Sequence, residues 1–412
     1  MLRSMSDAVS GLQGNQTWMD VIGNDIANVS TPGFKSGDVN FSAMFAQTLS
    51  AGSAPVANGL GGTNPKQIGL GVGVGSITTS QAEGAMQQTG TSTNLAIQGD
   101  GYFALDMGTN GTGYSRVGDF NFDAQGNLVS QSTGFKVLGW LPTNGTLPAE
   151  TANNLQDIVI PQTATSAPVP TSTVSYAGNL NAGTAAGTNV ALPVTVYDSL
   201  GNPWTLTFTF TPGATANTWN WSVAAPTGAV LGGSTTGTIT FGATGAYASM
   251  TGGPLTISPA GAAAAQSIKP NFTALTQYSG ATNADASAQN GFQAGQLNSI
   301  SIDTSGLITG AFSNGATETL GQVALATFSN PSGLVQQGQG VSVSGTNSGT
   351  PTVGVPGSGA AGTVQSGELE GSNVDLAQEF TEMITAERGY QANAQVVTVV
   401  NQMLQTLVQL GQ

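Results

Sequence analysis

Residues 11–35 read GLQGNQTWMDVIGNDIANVSTPGFK, and the fold turns on this stretch read together with residues 370–410. From the N-terminus onward, Leu2, Met5, Val9, Leu12, Met19, Ile22, Ile26 and Val29 recur at steps of three, four or their sum, which puts an apolar face on one helix. The helix should stop near Val29, because Ser30-Thr31-Pro32-Gly33 joins a Pro-restricted residue to a Gly. At the other end Leu376, Phe380, Met383, Tyr390, Ala394, Val397, Leu404 and Val408 form one stripe. Val396, Val400, Met403, Leu407 and Leu410 form a second. Helices with apolar faces this wide need partners.

The segment Gly11-Leu12, then Ile22-Gly23-Asn24-Asp25-Ile26-Ala27-Asn28-Val29-Ser30-Thr31-Pro32-Gly33-Phe34-Lys35, resembles the N-terminal signature of bacterial flagellar rod, hook and hook-associated axial proteins. Glu370-Gly371-Ser372-Asn373-Val374-Asp375-Leu376, Glu379-Phe380, Met383-Ile384 and Tyr390-Gln391-Ala392-Asn393 resemble their C-terminal signature. Asp25 and Pro32 stand where Asn and Thr are expected, and Gly389 where Ala is usual.

The resemblance implies an α+β, mostly β protein. Paired N- and C-terminal α-helices would form an inner core, with discontinuous antiparallel β domains outside. It implies a subunit that polymerises with itself into a tubular extracellular structure, next to distal rod, cap and hook-associated junction proteins. The contacts between copies are expected at Leu12, Met19, Ile22, Ile26, Val29, Phe380, Met383, Tyr390, Val397, Leu404, Leu407 and Val408. The signature positions carried over are Gly23, Asn24, Ile26, Ala27, Asn28, Gly33, Phe34, Lys35, Glu370, Gly371, Ser372, Asn373 and Val374. Length and a single inserted domain suit the member that forms a bendable joint, with a distal rod or junction subunit as the alternative.

Composition fits such a role. At 412 residues two or three domains are expected. Charged residues are only 7 %, against about 25 % in ordinary soluble domains, so the surface is largely Thr, Ser, Asn, Gln and Gly. Net charge is −14 with seven basic residues, which leaves no basic patch for nucleic acid. Cys is absent, so disulfides and thiolate metal sites are excluded. The N-terminus lacks the pattern of a cleaved signal peptide, and Gln, Thr and Asn interrupt the most apolar stretch, residues 394–410, so no membrane insertion is expected. An extracellular place would then require a dedicated export route.

Between the terminal helical segments, residues 1–32 and 368–412, the sequence divides three ways. Residues 33–75 are poor in apolar anchors and read as a long extended connector. Residues 76–145 and 285–367 share the phrase Asp-x-x-Gly between short apolar runs, at 123–126 and 303–306, and read as one discontinuous β domain. Residues 146–284 read as an inserted outer antiparallel β domain. In it Trp204, Leu206, Phe208 and Phe210 alternate with Thr205, Thr207, Thr209 and Thr211, answered by Trp219, Trp221 and Val223.

Catalysis has few candidates. With no His and no Cys, only carboxylate pairs such as Asp100, Asp106, Asp119 and Asp123 remain, which would suit a secreted carbohydrate-binding or hydrolytic β protein. Asp123, Asp198 and Asp303 fit better as turn residues that bind nearby backbone N–H groups. Gly69 to Gly75 is no phosphate cradle, because no Lys-Ser/Thr follows, and no calcium loop is formed. No enzyme activity, cofactor or metal is expected. Residues 389–412 carry no charge, and Gln391, Asn393, Gln395, Asn401, Gln402, Gln405 and Gln409 supply an uncharged wet face.

Overall fold

A computed structural model describes residues 2–55, 61–143, 145–259 and 263–410, and of Leu2 and Leu410 the backbone alone. Residues 259–265, whose glycine and alanine content reads as a loop by sequence, therefore lie partly outside the described residues. Two compact units result: Met1–Ile160 with Ser301–Ile308 and Thr319–Gln412, and Pro161–Ile300 with Thr309–Glu318.

The first unit carries both helices, α1 (Leu2–Ala27) and α2 (Leu376–Leu410). Helix α1 ends two residues before the expected stop because Asn28 turns back on it, its amide Nδ2 donating to the Asn24 carbonyl at 2.9 Å. Gly33 then takes φ +68°, a left-handed conformation that glycine adopts without strain. Its N–H donates to the Glu370 carbonyl at 2.7 Å, so the two chain ends meet directly after the helix. Asp375 caps α2, its Oδ1 accepting from Ala377 N at 2.8 Å.

The stretch expected to be an extended connector doubles back on itself instead. Strand β1 (Gly37–Ala43) pairs antiparallel with β4 (Val72–Thr79), and β2 (Ala46–Ser50) with β3 (Lys66–Gly69). IGLGVGV, residues 68–74 at the end of the expected connector, is thus part of the return arm of this hairpin. The hairpin packs on α1 through Phe41 of β1, whose ring meets Trp18 edge-to-face at 5.8 Å. The backbone adds its own ties, Val72 N to Ser10 Oγ at 3.2 Å and Gly37 N to Asp25 Oδ2 at 2.9 Å.

The rest of this unit is built on Tyr102–Asp106, which pairs with Thr112–Ser115, Lys136–Trp140 and Leu325–Thr327. Leu95, Ile97, Phe103, Phe120, Leu128, Val137, Trp140 and Leu325 are all buried in it. Residues 146–160, expected in the insertion, stay with this unit, because Gln156 and Asp157 pair with Gly139 and Leu138. Both Asp-x-x-Gly phrases are turns of one kind. Asp123 Oδ1 accepts from Gln125 N and Asn127 N, and Asp303 Oδ1 from Ser305 N and Leu307 N.

The second unit contains two five-stranded sheets that share a core. Leu206, Phe208 and Phe210 point inward as their alternation requires, and Phe208 pairs in register with Val223, Phe210 with Trp221. Tyr176, Phe208 and Phe272 meet within 5.1 to 6.2 Å between ring centres. Among the described residues, Thr173–Asn179 departs from the antiparallel expectation and runs parallel to Gln266–Thr276.

Asp198 anchors one end of the second unit. It is fully buried and accepts from Leu200 N, Asn202 N, Asn202 Nδ2 and Trp204 Nε1, all within 2.9 to 3.0 Å. Burial alone would raise its carboxyl, but the Trp204 and Asn202 donors prevail and hold it below the usual range. Asp198→Ala should therefore cost this unit about 1 to 3 kcal/mol at neutral pH. Because the native value is depressed, the difference from wild type should shrink as pH falls through that value. Calorimetry of the two proteins from neutral pH down to about pH 3 checks both; a neutral-pH transition identical to wild type would contradict the anchor.

Candidate assembly surface

The helices run antiparallel and touch closely. A Cβ on Gly11 would lie 2.6 Å from the Asn393 amide, and one on Gly389 3.0 Å from Asn15 Oδ1, so small residues on both sides permit the crossing. Between them they bury Ala8, Gly11 and Ile22 on α1 and Glu379, Ala386 and Val400 on α2. The buried α2 positions fall at steps of seven and fourteen, the period of a helix–helix seam.

That seam sorts the expected contact residues. Ile22 is 2 % exposed and so is consumed inside the subunit, which corrects its assignment to a surface between copies. Leu12, Met19, Ile26, Val29, Met383, Val397 and Leu404 are half-buried. Phe380, Tyr390, Leu407 and Val408 are exposed, and so are Ile384, Val396, Val399 and Met403. Ile384 and Val399 are absent from the contacts expected by sequence, although Phe380 to Ile384 and Val396 to Val399 to Met403 are steps of four, three and four on one face. Asn393 also leaves the expected wet face, since it packs across Gly11.

The signature residues separate as well. Lys35, Glu370, Gly371 and Asn373 converge. Lys35 Nζ lies 2.6 Å from Glu370 Oε1 and donates to the Ala82 carbonyl at 2.7 Å. Gly84 N donates to the same Glu370 oxygen at 3.1 Å, and Arg116 approaches Oε2 at 3.6 Å. Asn373 Oδ1 accepts from Ser36 N at 2.8 Å while its amide donates to the Ala82 carbonyl at 3.0 Å, and Gly371 N bonds the Ala85 carbonyl at 2.8 Å. Phe34 enters through its backbone, its carbonyl accepting from Asn373 N at 3.3 Å. Ser372 bonds locally, its Oγ accepting from Val374 N at 3.3 Å. Burial lowers the Lys35 ammonium despite the opposing carboxylate. Arg116, outside both signatures, is the participant that sequence reading does not find.

Asn24 and Asn28 close the end of α1, with Thr31 Oγ1 donating to Asn28 Oδ1 at 3.1 Å. Gly23 and Ala27 are exposed, and a Cβ on Gly23 would meet nothing within 4 Å. Three of the four candidate carboxylates are engaged in turns and local bonds: Asp106 Oδ1 accepts from Gly108 N and Asp119 Oδ1 from Ser130 Oγ, as Asp123 does from its own turn.

Four family models match the chain in order: "Flagella basal body rod protein" over residues 5–35, "Flagellar hook protein FlgE/F/G D1 domain" over 96–182, "Flagellar basal body protein FlaE D2 domain" over 163–292, and "Flagellar basal body rod FlgEFG protein C-terminal" over 365–410. A pair of terminal helices matched at both ends, with the two β models between them, defines a flagellar axial protein. Flagellar hook protein FlgE of Borreliella burgdorferi is 36% identical over 100% of both chains, and that of Treponema pallidum 37% identical over 100% of both. Flagellar basal-body rod protein FlgG of Bacillus subtilis is 30% identical over 100% of this chain and 99% of its own. The chain belongs to the flagellar hook protein family.

Proposed function

We propose that the chain is the structural subunit that polymerises helically into the flagellar hook, a flexible tube that passes torque from motor and rod to the filament. The observation that carries this reading is the outer face of α2. Phe380, Ile384, Val396, Val399 and Met403 are 41 to 58 % exposed on a helix already paired along its other side, and Leu407 and Val408, which continue the seam beyond Val400 and Leu404, are left 57 and 62 % exposed. An apolar row left over after intrachain pairing is a surface for further copies. The uncharged Gln391, Gln395, Asn401, Gln402, Gln405 and Gln409 support a lumen face that attracts neither acidic nor basic cargo.

Family membership supports the remaining parts: the outside of the cell as its place, export through the flagellar channel, and distal rod, hook cap and hook-associated junction proteins as neighbours. The role is structural, and of the aspartates that suggest carbohydrate chemistry by sequence, Asp106 and Asp123 bond their own turns and Asp119 bonds Ser130. With charged residues at 7 %, copies can slide against each other without breaking fixed ion pairs, which keeps bending inexpensive. The rod reading keeps one support, the full-length likeness to a rod protein.

Electron microscopy of the concentrated purified chain tests the reading, together with its return to cells that lack the hook subunit. Tubes of hook calibre and restored swimming are expected. Monomers that bind glycan and never form tubes would overturn it.

A further inference from the structure

Five asparagines precede a glycine: Asn58, Asn110, Asn144, Asn290 and Asn314. A glycine there has no Cβ to keep its backbone nitrogen away from the asparagine carboxamide, so local structure decides whether the two can react. Asn58 and Asn144 lie outside the described residues.

Asn290 and Asn314 are held at both ends of the side-chain amide. Asn290 Oδ1 accepts from Ser172 N and Thr173 N at 2.9 Å each, and its Nδ2 donates to Ser172 Oγ at 2.8 Å. Asn314 Oδ1 accepts from Ala316 N at 3.0 Å, and its Nδ2 donates to the Gln293 carbonyl at 2.8 Å. The nitrogens that would attack are tied as well. Gly291 N donates to Gln289 Oε1 at 2.6 Å and Gly315 N to the Phe312 carbonyl at 2.9 Å. A Cβ on Gly291 would collide with Thr171 Oγ1, so that step is also walled in, whereas Gly315 is open and Asn314 is restrained by its bonds alone.

Asn110 differs where it matters. It is exposed in the turn between Tyr102–Asp106 and Thr112–Ser115, and its carboxamide has no hydrogen-bond partner among the described residues. Gly111 N reaches the Gly108 carbonyl only at 3.2 Å, the longest of the three tethers, and a Cβ on Gly111 would meet nothing within 4 Å.

We propose that Asn110 is a site of spontaneous deamidation in the folded chain. Hydroxide takes the Gly111 amide proton and the nitrogen attacks Asn110 Cγ. The Cγ–Nδ2 bond then breaks, and ammonia leaves with a proton supplied by water. Water opens the resulting succinimide at either carbonyl, which leaves aspartate or isoaspartate at position 110. Each event adds a negative charge to a chain already at −14, in a turn that already holds Asp106. The isoaspartate form also lengthens the turn by a backbone carbon, at the expense of the 2.9 Å bond from Met107 N to the Gly111 carbonyl. None of this depends on the polymer reading, and its failure would leave that reading untouched.

The test keeps purified full-length protein in mildly alkaline buffer, with and without urea, and follows the peptides spanning Asn110, Asn290 and Asn314 by mass spectrometry. In buffer the Asn110 peptide should take on the mass step from amide to acid and split into aspartate and isoaspartate forms on chromatography, at close to its rate in urea. Asn290 and Asn314 should convert about tenfold or more slowly in buffer than in urea, because their bonds must first break. Asn110→Gln should remove the conversion at this turn, since glutamine must close a larger ring. It should leave the thermal transitions in place, because the side chain is exposed and unbonded. An Asn110 that keeps its amide in buffer would overturn the proposal, as would Asn290 or Asn314 converting there as fast as Asn110. So would an Asn110→Gln protein in which the same peptide still gains the acid mass at the wild-type rate.

Discussion

Glu370→Ala should lower the thermal transition of the helix-bearing unit by about 10 °C. Glu370 is 1 % exposed and serves Lys35, Arg116 and the Gly84 N–H at once. Removing the shared acceptor leaves two buried cations facing each other, a situation worth about 3 to 5 kcal/mol of destabilisation. Burial already lowers Lys35, and loss of its carboxylate lowers it further. The unfolded chain then binds a proton that the folded mutant gives up, so the mutant's deficit should shrink as pH rises toward about 10. Calorimetric scans of mutant and wild type at neutral and at alkaline pH are sufficient. A mutant that melts with wild type would show that the chain ends are held by the backbone bonds of Gly33 and Gly371 and by Asn373, without the charged cluster. The transition of Pro161–Ile300 is expected to stay in place, since its aromatic core contains none of these residues.

Much of this architecture is visible in short-range pattern. The period of three and four marks α1 and α2 because each buries one face, and the Thr alternation from Trp204 marks a strand with one dry side. What escapes depends on distance along the chain. Lys35 and Glu370 are 335 residues apart, and Arg116 carries no local sign that it will complete their site. The β1–β4 hairpin is not legible because Gly, Ser and Thr dominate it. Its pairing is made by backbone groups, and Phe41 gains meaning only once Trp18 is beside it. The insertion boundary lies at 161 rather than 146 for the same reason, since Gln156 and Asp157 join Lys136–Trp140 through backbone bonds that any side chain would permit. The faces of α2 are ambiguous by sequence because two apolar stripes compete. Gly11 and Gly389, which let the helices approach, are the signal that could choose between them.

Burial separates two neighbouring leucines. Leu404 is half-buried one helical turn beyond the buried Val400, whereas Leu407, two turns beyond Val400, is 57 % exposed beside Val408 near the end of α2. Leu407→Lys should leave the monomer's transitions and helix content unchanged, because the lysine stays in water. In a polymer that covers this face, the same change forfeits about 1.5 to 3 kcal/mol of burial and adds several more for an unpaired ammonium, at every subunit. Tube formation should therefore fail and cells should not swim. Leu404→Lys should instead weaken the pairing of α1 with α2 within the monomer, seen as faster hydrogen exchange along both helices, with assembly lost as a consequence. The pair of mutants, followed by sedimentation of the assembly reaction and exchange of the monomer, fixes the orientation of the helix. If Leu407→Lys polymerises normally, the exposed end of α2 faces solvent or lumen and the contacts between copies lie elsewhere. If it is Leu407→Lys that loosens the monomer while Leu404→Lys does not, α1 pairs with Leu407 rather than with Leu404.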